Sequence, residues 1–134
     1  MNKTIGQAAE ESGISRKMIR YYEQIGLLPP ARRSESGYRY YDEPAIRRLQ
    51  FIRRARDMGF SLERISQLLG LWQNEQRHSA DVKALVEQYI AELDETIRQM
   101  QAMRDELYDW VDHCHGDDQP ECAIIDHLKP ATEN

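Results

Sequence analysis

Apolar residues recur along the second half of the chain in alternating steps of four and three, from Val86 to Val111, and Arg104 fills the one gap. This is a heptad pattern, which predicts one long helix over about residues 80–112 that packs against a partner helix. No Pro or Gly interrupts the stretch, and most of its other residues favour helix. The seam positions that we assign to dimerisation are Val86, Ile90, Leu93, Ile97, Met100 and Leu107.

The rest of the chain offers no partner for this seam. At about 1.5 Å per residue the helix would be roughly 50 Å long, which is too long to lie against so small a domain. No other segment has enough apolar surface to cover it, whereas a second copy of the chain does. The pattern therefore predicts a homodimer, with Arg104 as a candidate for setting the register of the two helices.

Short helices precede the long one. Thr4 followed by Gln7 is a capping box that starts the first of them. Ser15 caps a second helix that runs to about Ile25, and a tight turn containing Gly13 joins the two as a helix-turn-helix. Basic and aromatic groups near the start of the second helix suit phosphate and base-edge contacts in a major groove. The candidates are Arg16, Lys17, Arg20 and Tyr21.

A β-hairpin is predicted next, over residues 32–41, with Gly37 in its turn. The first two helices alone fit an ordinary helical hairpin with solvated charges equally well. A hairpin of interleaved Arg and Tyr beside them favours a winged arrangement that binds DNA. Asp42 caps a third helix with an arginine-rich polar side, and Ser61 caps a fourth. The further candidates for DNA contact are Arg33, Tyr38, Arg39, Tyr40 and Arg56.

Charge divides the chain near residue 72. The 134 residues carry a net charge of −5, but residues 1–72 hold 13 Lys and Arg against 8 Asp and Glu, whereas residues 73–134 hold 5 against 15. A basic first half on an acidic second half indicates that the first half meets a polyanion. We therefore expect a DNA-binding head (residues 1–72), a dimerisation helix (residues 80–112) and a sensing loop with its tail (residues 113–134).

Membrane and enzyme functions find no support in the sequence. No apolar run is long enough to span a membrane, and the first residues lack the charged and apolar regions of a signal peptide. We expect a soluble, cytoplasmic protein with no membrane partner. No nucleophile–base pairing, phosphate-binding Gly loop or pair of carboxylates in an apolar setting is recognisable, so we expect no enzyme activity.

Two cysteines, Cys114 and Cys122, lie on either side of a loop rich in Gly, Asp and Pro. This loop can fold back so that both sulfurs reach one ion. Pro120 is predicted to begin a short helix with Cys122 in its first turn, where the helix dipole favours thiolate. Two soft thiolates without an obvious third ligand suit a monovalent ion such as Cu(I), because Zn²⁺ usually takes four ligands. A disulfide, or a pair of incidental thiols, is the alternative.

Four segments of the chain resemble the MerR family of transcriptional regulators. They are Ile19-Arg20-Tyr21-Tyr22-Glu23, Gly26-Leu27, Arg33 through Gly37-Tyr38-Arg39-Tyr40-Tyr41, and Arg54-Ala55-Arg56-Asp57-Met58-Gly59-Phe60-Ser61-Leu62. The resemblance implies a mainly α fold: a winged helix-turn-helix head, a long helix that pairs as an antiparallel coiled coil in the homodimer, and a short C-terminal metal-binding loop with a short helix. It also implies that the dimer distorts promoter double-stranded DNA, and that an effector changes the distortion so that RNA polymerase can align with the promoter.

The thiol loop resembles that of the copper-efflux regulators within this family, which share the Cys spacing and the Gly-Asp-Asp run at residues 116–118. The resemblance implies activation of copper efflux or detoxification genes by Cu(I), or by Ag(I) or Au(I), with Cys114 and Cys122 as ligands. Divalent-metal sensors of the family have a Cys near the start of the long helix, where this chain has Ser79. Lys83 follows one turn later, and we expect it to offset the negative charge of the metal site.

Two alternatives within the family stay open at this point. One is a regulator that responds to a thiol–disulfide change, and the other responds to a divalent ion. A multidrug-binding regulator is disfavoured, because such proteins carry a larger ligand domain after the long helix than residues 113–134. The histidines near the sensing end are not assigned as ligands, since the copper-efflux loops do not require them. They are His78, His113, His115 and His127.

Overall fold

Six helices and one two-stranded antiparallel sheet make up residues 2–132, the part of the chain that the computed structural model describes. In chain order they are α1 (Ile5–Ser12), α2 (Arg16–Gln24), β1 (Arg32–Arg33), β2 (Arg39–Tyr40), α3 (Glu43–Asp57), α4 (Leu62–Gln73), α5 (Ser79–Asp112) and α6 (Ala123–Leu128). The predicted fold class is confirmed: the chain is mainly α, with a helix-turn-helix, a small wing and one long helix.

Each helix of the head starts at a side-chain cap that the sequence encodes. Thr4 Oγ1 accepts the Gln7 N–H at 3.2 Å, and Gln7 Oε1 accepts the Thr4 N–H at 2.9 Å, so the predicted capping box is confirmed. Gly13 takes the left-handed conformation, with φ 75°, that the turn between α1 and α2 requires. The other predicted caps are also present, from Ser15 to Met18, Asp42 to Ala45 and Ser61 to Arg64.

The central helix of the head is α3, because it packs against both α1 and α4. Leu49 and Ile52 lie one turn apart on it and are fully buried. Burying side chains of this size stabilises a fold by about 1.5–3 kcal/mol each. Both residues share one buried core with residues of the recognition helix α2, so this core fixes the position of α2. The other fully buried aliphatic side chains are Ile19 of α2, Leu28 of the following loop, and Ile65 and Leu69 of α4.

Two arginines of α3 bind backbone carbonyls of the helix-turn-helix. Arg48 Nε donates to the Leu27 carbonyl at 2.8 Å, and Arg53 Nη1 donates to the Gly13 carbonyl. These bonds link the turn and the exit of the motif to α3. The helix α2 ends near the predicted Ile25, which is its C-cap residue and is 45 % exposed.

The wing (residues 32–41) is a hairpin of two short strands. Ser34 closes its turn: its N–H donates to the Tyr38 carbonyl at 2.8 Å, and its Oγ accepts the Tyr38 N–H at 3.1 Å. Lys3 and Tyr41 exchange backbone hydrogen bonds of 2.9 and 2.7 Å, which attach the end of the wing to the start of the chain. The register pairs Arg32 with Tyr40 and Arg33 with Arg39.

The long helix α5 has 34 residues and agrees with the predicted span to within a residue. None of its side chains is buried within this chain. The seam is therefore uncovered: Leu93 is 39 % exposed and Met100 is 59 % exposed. The chain divides between Leu85 and Val86 into two compact units. Within residues 2–132, no helix combines the length and the apolar character needed to cross a bilayer.

The short helix α6 corrects one expectation. It begins at Ala123 rather than at Pro120, and Cys122 is its N-cap residue, in an extended conformation with φ −148° and ψ 120°. The carboxylate of Asp117 accepts the backbone N–H of Gln119 at 2.9 Å, so a local turn precedes Pro120. The extended backbone of Cys122 keeps the residues before Ala123 out of the helix. The helix therefore starts only after Cys122.

Candidate DNA-binding face and thiol pair

Exposed basic and aromatic side chains line the recognition helix α2. Arg16 and Lys17 are exposed in its first turn, and Arg20 is exposed one turn after Arg16. Tyr21 is 42 % exposed, whereas the neighbouring Tyr22 belongs to the core at 4 %. An exposed helix start that carries such side chains suits contacts with phosphates and base edges.

Glu23 of α2 joins the recognition helix to the wing. Its Oε1 accepts the Tyr41 hydroxyl at 2.6 Å, and its Oε2 accepts Arg39 Nη2 at 2.7 Å. The side chain of Glu23 is only 8 % exposed, so these partners replace the water that the carboxylate has lost. Burial, followed by the hydrogen bond to Glu23, raises the pKa of Tyr41 to about 12. Two of the elements that carry predicted DNA contacts are thereby held together.

The remaining predicted DNA contacts lie on the wing and on α3. Arg33 Nη1 donates to the Gly37 carbonyl at 3.0 Å, which places the guanidinium across the wing turn. Tyr38 is 75 % exposed beside that turn, and Tyr40 is half-buried. Arg56 is exposed near the end of α3 and donates to a following backbone carbonyl at 3.4 Å. The structure brings α2 and the wing together, and the contacts of these residues with DNA stay predictions.

The two cysteines form a thiol pair, in which the sulfurs of Cys114 and Cys122 lie 3.5 Å apart. Both thiols are free and half-buried. The loop folds back as expected, because its sulfurs converge from the end of α5 and the start of α6. A disulfide bond is about 2.05 Å long, so these sulfurs touch without being bonded. An ion with a sulfur at about 2.3 Å on each side would need them about 4.6 Å apart, which is an adjustment of about one ångström.

The surroundings of Cys122 favour its thiolate. The backbone N–H of Ile125 is the largest influence that lowers the pKa of Cys122, followed by the Cys114 thiol, whereas burial and Asp126 act in the opposite direction. The thiolate is the form that binds metal ions. The N-cap position thus brings backbone amides to the sulfur, which was the effect expected from a position in the first turn of the helix.

His113 makes its contacts away from the thiol pair. His113 Nδ1 lies 2.7 Å from the backbone oxygen of Asp109, and the backbone and carboxylate of Asp109 raise the pKa of His113. Among residues 2–132, no three or more His, Cys, Asp or Glu side chains converge where they could hold a metal ion. The pair itself supplies two sulfur donors.

Ser79 and Lys83 lie at the start of α5. Ser79 is the first residue of the helix, Lys83 follows one turn later, and both are exposed. They belong to the compact unit that ends at Leu85, whereas the thiol pair belongs to the unit that begins at Val86. The expectation that they stand near a bound ion stays a prediction.

Sequence reasoning missed two features of these regions. Glu23 was recognised only as part of the segment that resembles the MerR family. Its role was not predicted, because its partner Arg39 lies 16 residues away. Sequence reasoning also missed a stack of the Trp110 and His127 rings, whose centroids lie 4.8 Å apart with 5° between the planes. Neither pairing follows the spacing of a helix or a strand, which is the signal that a single sequence carries.

Two family models match the chain. The one described as "MerR HTH family regulatory protein" matches residues 3–71, and the one described as "MerR, DNA binding" matches residues 46–110. The first covers α1 to α4 almost completely, and the second extends the match along most of α5.

Relatives and solved structures agree with these matches. The chain is 52 % identical over 124 residues to the heavy metal-dependent transcription regulator 2 of Rhizobium meliloti (strain 1021), covering 92 % of this chain and 84 % of that protein. It is 42 % identical to the transcriptional regulator CueR of Salmonella typhi, covering 92 % and 90 %. The crystal structure of the transcription regulator PbrR691 from Ralstonia metallidurans CH34 in complex with lead(II) superimposes with a TM-score of 0.83 at 34 % identity, covering 95 % and 99 %.

Proposed function

The chain belongs to the MerR family of transcriptional regulators, and from that premise we propose that it activates copper efflux or detoxification genes in response to Cu(I). Ag(I) and Au(I), which accept the same ligands, would act in its place. Members of this family are DNA-binding regulators, so the chain is not an enzyme. The observation that carries the proposal is the thiol pair, with its two free sulfurs 3.5 Å apart.

The donor set favours a monovalent ion. Thiolate sulfur is a soft ligand that selects ions such as Cu(I), and Cu(I) is satisfied by two ligands on opposite sides. Zn²⁺ takes four ligands in most protein sites, and it would need donors beyond the thiol pair. At the start of α5 this chain has Ser79, whose hydroxyl is a poor substitute for a third thiolate. These features together support Cu(I) over a divalent ion.

A divalent ion is the second candidate effector. A relative is named a heavy metal-dependent regulator, and the structural neighbour PbrR691 was crystallised with lead(II).

Two thiolates neutralise a divalent ion completely, whereas they leave a charge of −1 around Cu(I). A negative site is costly in a dry environment unless a cation or helix dipole lies near, and we assign that role to Lys83.

We also propose how the parts of the chain divide this work. Residues 1–72 bind promoter DNA through α2 and the wing, residues 80–112 hold a homodimer together through the uncovered seam, and residues 113–134 sense the metal. The metal changes the distortion of the bound promoter, which allows RNA polymerase to initiate. This role places the protein in the cytoplasm. Its support is the exposed basic face of α2 and the wing, together with a 34-residue helix that has no buried side chain in this chain.

Metal binding under anaerobic conditions tests the effector directly. The purified full-length protein is dialysed against Cu(I), Zn²⁺ or Pb²⁺ buffered by competing ligands, and bound metal per chain is measured. We expect about one Cu(I) for each thiol pair, and loss of that ion in Cys114→Ser. Tighter binding of Zn²⁺ or Pb²⁺ than of Cu(I) would favour the divalent candidate. Equal Cu(I) binding by wild type and Cys114→Ser would remove the thiol pair from the metal site.

A further inference from the structure

Two aromatic rings close the segment that carries the thiol pair. The indole of Trp110 and the imidazole of His127 lie face to face, with centroids 4.8 Å apart and planes within 5°. Trp110 lies in the last turn of α5, four residues before Cys114, and His127 lies in α6, five residues after Cys122. The stack therefore joins the two elements from which the sulfurs project.

The geometry matters because α6 is short. A helix of six residues is not stable on its own in water, so α6 depends on contacts beyond itself. Bringing the ends of a loop together also costs conformational entropy, which some attractive contact must offset. The stack of Trp110 on His127 is such a contact, and the loop that it closes contains both cysteines. Without the stack, the chain would lose one contact that holds the sulfurs 3.5 Å apart before an ion binds.

We propose that Trp110 and His127 are positioning residues for the thiol pair: their stack holds α6 against the end of α5, so that the sulfurs are already close before an ion arrives. This inference rests on the proposal that Cys114 and Cys122 bind the metal. A preorganised site binds more tightly, because less of the binding free energy is consumed in ordering the ligands. His127 acts through its ring face, which the indole covers, and it is not a metal ligand in this account.

The stack is first tested without metal. Trp72 is replaced by Phe, which can keep the stacking of ring 72 on Phe51, so that Trp110 alone reports in the fluorescence of the apo protein. His127→Ala should shift the emission of Trp110 to longer wavelength, because the indole loses its cover and meets water. Leu128→Ala is the matched control: it changes the adjacent residue of α6, which is 65 % exposed, and should leave the emission unchanged.

The functional role is tested by a double-mutant cycle on metal affinity. Trp110→Ala and His127→Ala should each weaken Ag(I) and Cu(I) binding by about 2- to 10-fold, the range expected for one aromatic pair. The double variant should be no weaker than either single variant, since both remove the same contact. His127→Phe, which keeps a flat ring, should retain the affinity. DNA binding by the apo protein should be the same in all of them.

The outcomes separate this inference from the proposed function. If wild type binds Ag(I) through the cysteines but the two alanine effects multiply, or if neither variant alters affinity, the positioning role is wrong and the metal site stands. If Cys114→Ser binds Ag(I) as well as wild type does, both the proposed site and the positioning role are wrong. An unchanged Trp110 emission in His127→Ala would show that the rings do not stack in solution, and it would also end the inference.

Discussion

The hydroxyl of Tyr41, at the end of the wing, donates a 2.6 Å hydrogen bond to Oε1 of Glu23 on the recognition helix. Tyr41 is 2 % exposed and the Glu23 side chain is 8 % exposed, so water cannot readily replace either partner. The other oxygen of the same carboxylate binds Arg39 of β2 at 2.7 Å. A single buried carboxylate therefore links the wing to α2, and both elements carry predicted DNA contacts.

Removing the Tyr41 hydroxyl should destabilise the head. Tyr41→Phe leaves one oxygen of Glu23 without its donor, which costs about 1–3 kcal/mol in the free energy of unfolding. Denaturant unfolding measures this loss. Tyr38→Phe is the matched control, because Tyr38 is 75 % exposed and should cost little. Equal stabilities of Tyr41→Phe and Tyr38→Phe would mean that the bond to Glu23 does not hold the wing.

The pair of Tyr41 and Glu23 should also make the wild-type protein less stable at alkaline pH. The folded pKa of Tyr41 is about 12, above the ordinary value of 10.0, because burial and then Glu23 favour the neutral phenol. The folded state therefore keeps this proton at pH values where the unfolded state releases it, so the contribution is complete below pH 10 and is lost as pH rises through about 12. The difference in unfolding free energy between wild type and Tyr41→Phe should shrink over that window.

Arg33 should bind a DNA phosphate. Its guanidinium lies across the wing turn, 3.0 Å from the Gly37 carbonyl, and it is exposed. Arg33→Ala should weaken binding to all DNA sequences and lower the slope of log affinity against log salt by about 0.9, the value for one lost phosphate contact. Fluorescence anisotropy across a range of KCl concentrations, on a fragment selected in vitro by the protein, measures both effects.

Arg98→Ala is the control for this experiment, since Arg98 forms its ion pair with Glu95 on the exposed surface of α5. It removes one positive charge from the chain without touching the proposed DNA-binding face. An Arg33→Ala protein with the affinity and salt slope of Arg98→Ala would take Arg33 out of the DNA interface.

Local rules predicted most of the fold, but they misplaced the start of one helix. The caps at Thr4, Ser15, Asp42 and Ser61 depend on neighbours three residues away, so the sequence displays both partners together. The start of α6 was misplaced, because Pro120 favours a helix start but the backbone is still extended at Cys122.

In the candidate sites, one contact could be predicted from local sequence and another could not. The convergence of Cys114 and Cys122 was predictable, because the residues between them form a loop that folds back. The stack of Trp110 on His127 was not, since two rings 17 positions apart meet only after α6 has taken its place. The approach of Ser79 and Lys83 to a metal stays a prediction, because they lie in the compact unit that ends at Leu85 and the cysteines lie in the other unit.

The uncovered seam of α5 should hold the homodimer. Leu93→Asp would bury an unpaired carboxylate between two helices, a penalty of several kcal/mol, and sedimentation should show a monomer. Ala102→Asp is the matched control: it places the same charge on the opposite face of the same helix and should leave the dimer intact. A Leu93→Asp dimer as stable as Ala102→Asp would show that the chains associate through another surface.

Lys83 should stabilise the metal-loaded state through its charge. Two thiolates around Cu(I) carry −1, and losing a nearby cation should weaken Cu(I) binding by about tenfold, or about 1.4 kcal/mol. Lys83→Met is compared with Lys83→Arg, which keeps the charge, in competition titrations with Cu(I). DNA binding by the apo protein should be unchanged in both. If Lys83→Met binds Cu(I) as tightly as Lys83→Arg, Lys83 has no part in the site.

Replacing single donors should change which ion the site accepts. Cys122→Ser leaves one thiolate, which cannot hold Cu(I) against cellular thiols, so activation should be lost while apo DNA binding persists. Ser79→Cys offers a third sulfur and should open the site to divalent ions, which prefer more ligands. A regulator that worked by a disulfide would lose function in Cys122→Ser but would not respond to Ser79→Cys.

In vitro transcription from a promoter that the protein binds tests the central claim most directly. RNA polymerase, the wild-type dimer and the promoter are combined anaerobically with buffered Cu(I), Zn²⁺ or Pb²⁺, and run-off transcripts are counted. We predict activation by Cu(I) in wild type, none by Zn²⁺ or Pb²⁺, and none by Cu(I) in Cys122→Ser. Activation of the wild type by Zn²⁺ or Pb²⁺ as strong as by Cu(I), or activation by Cu(I) that persists in Cys122→Ser, would contradict the account.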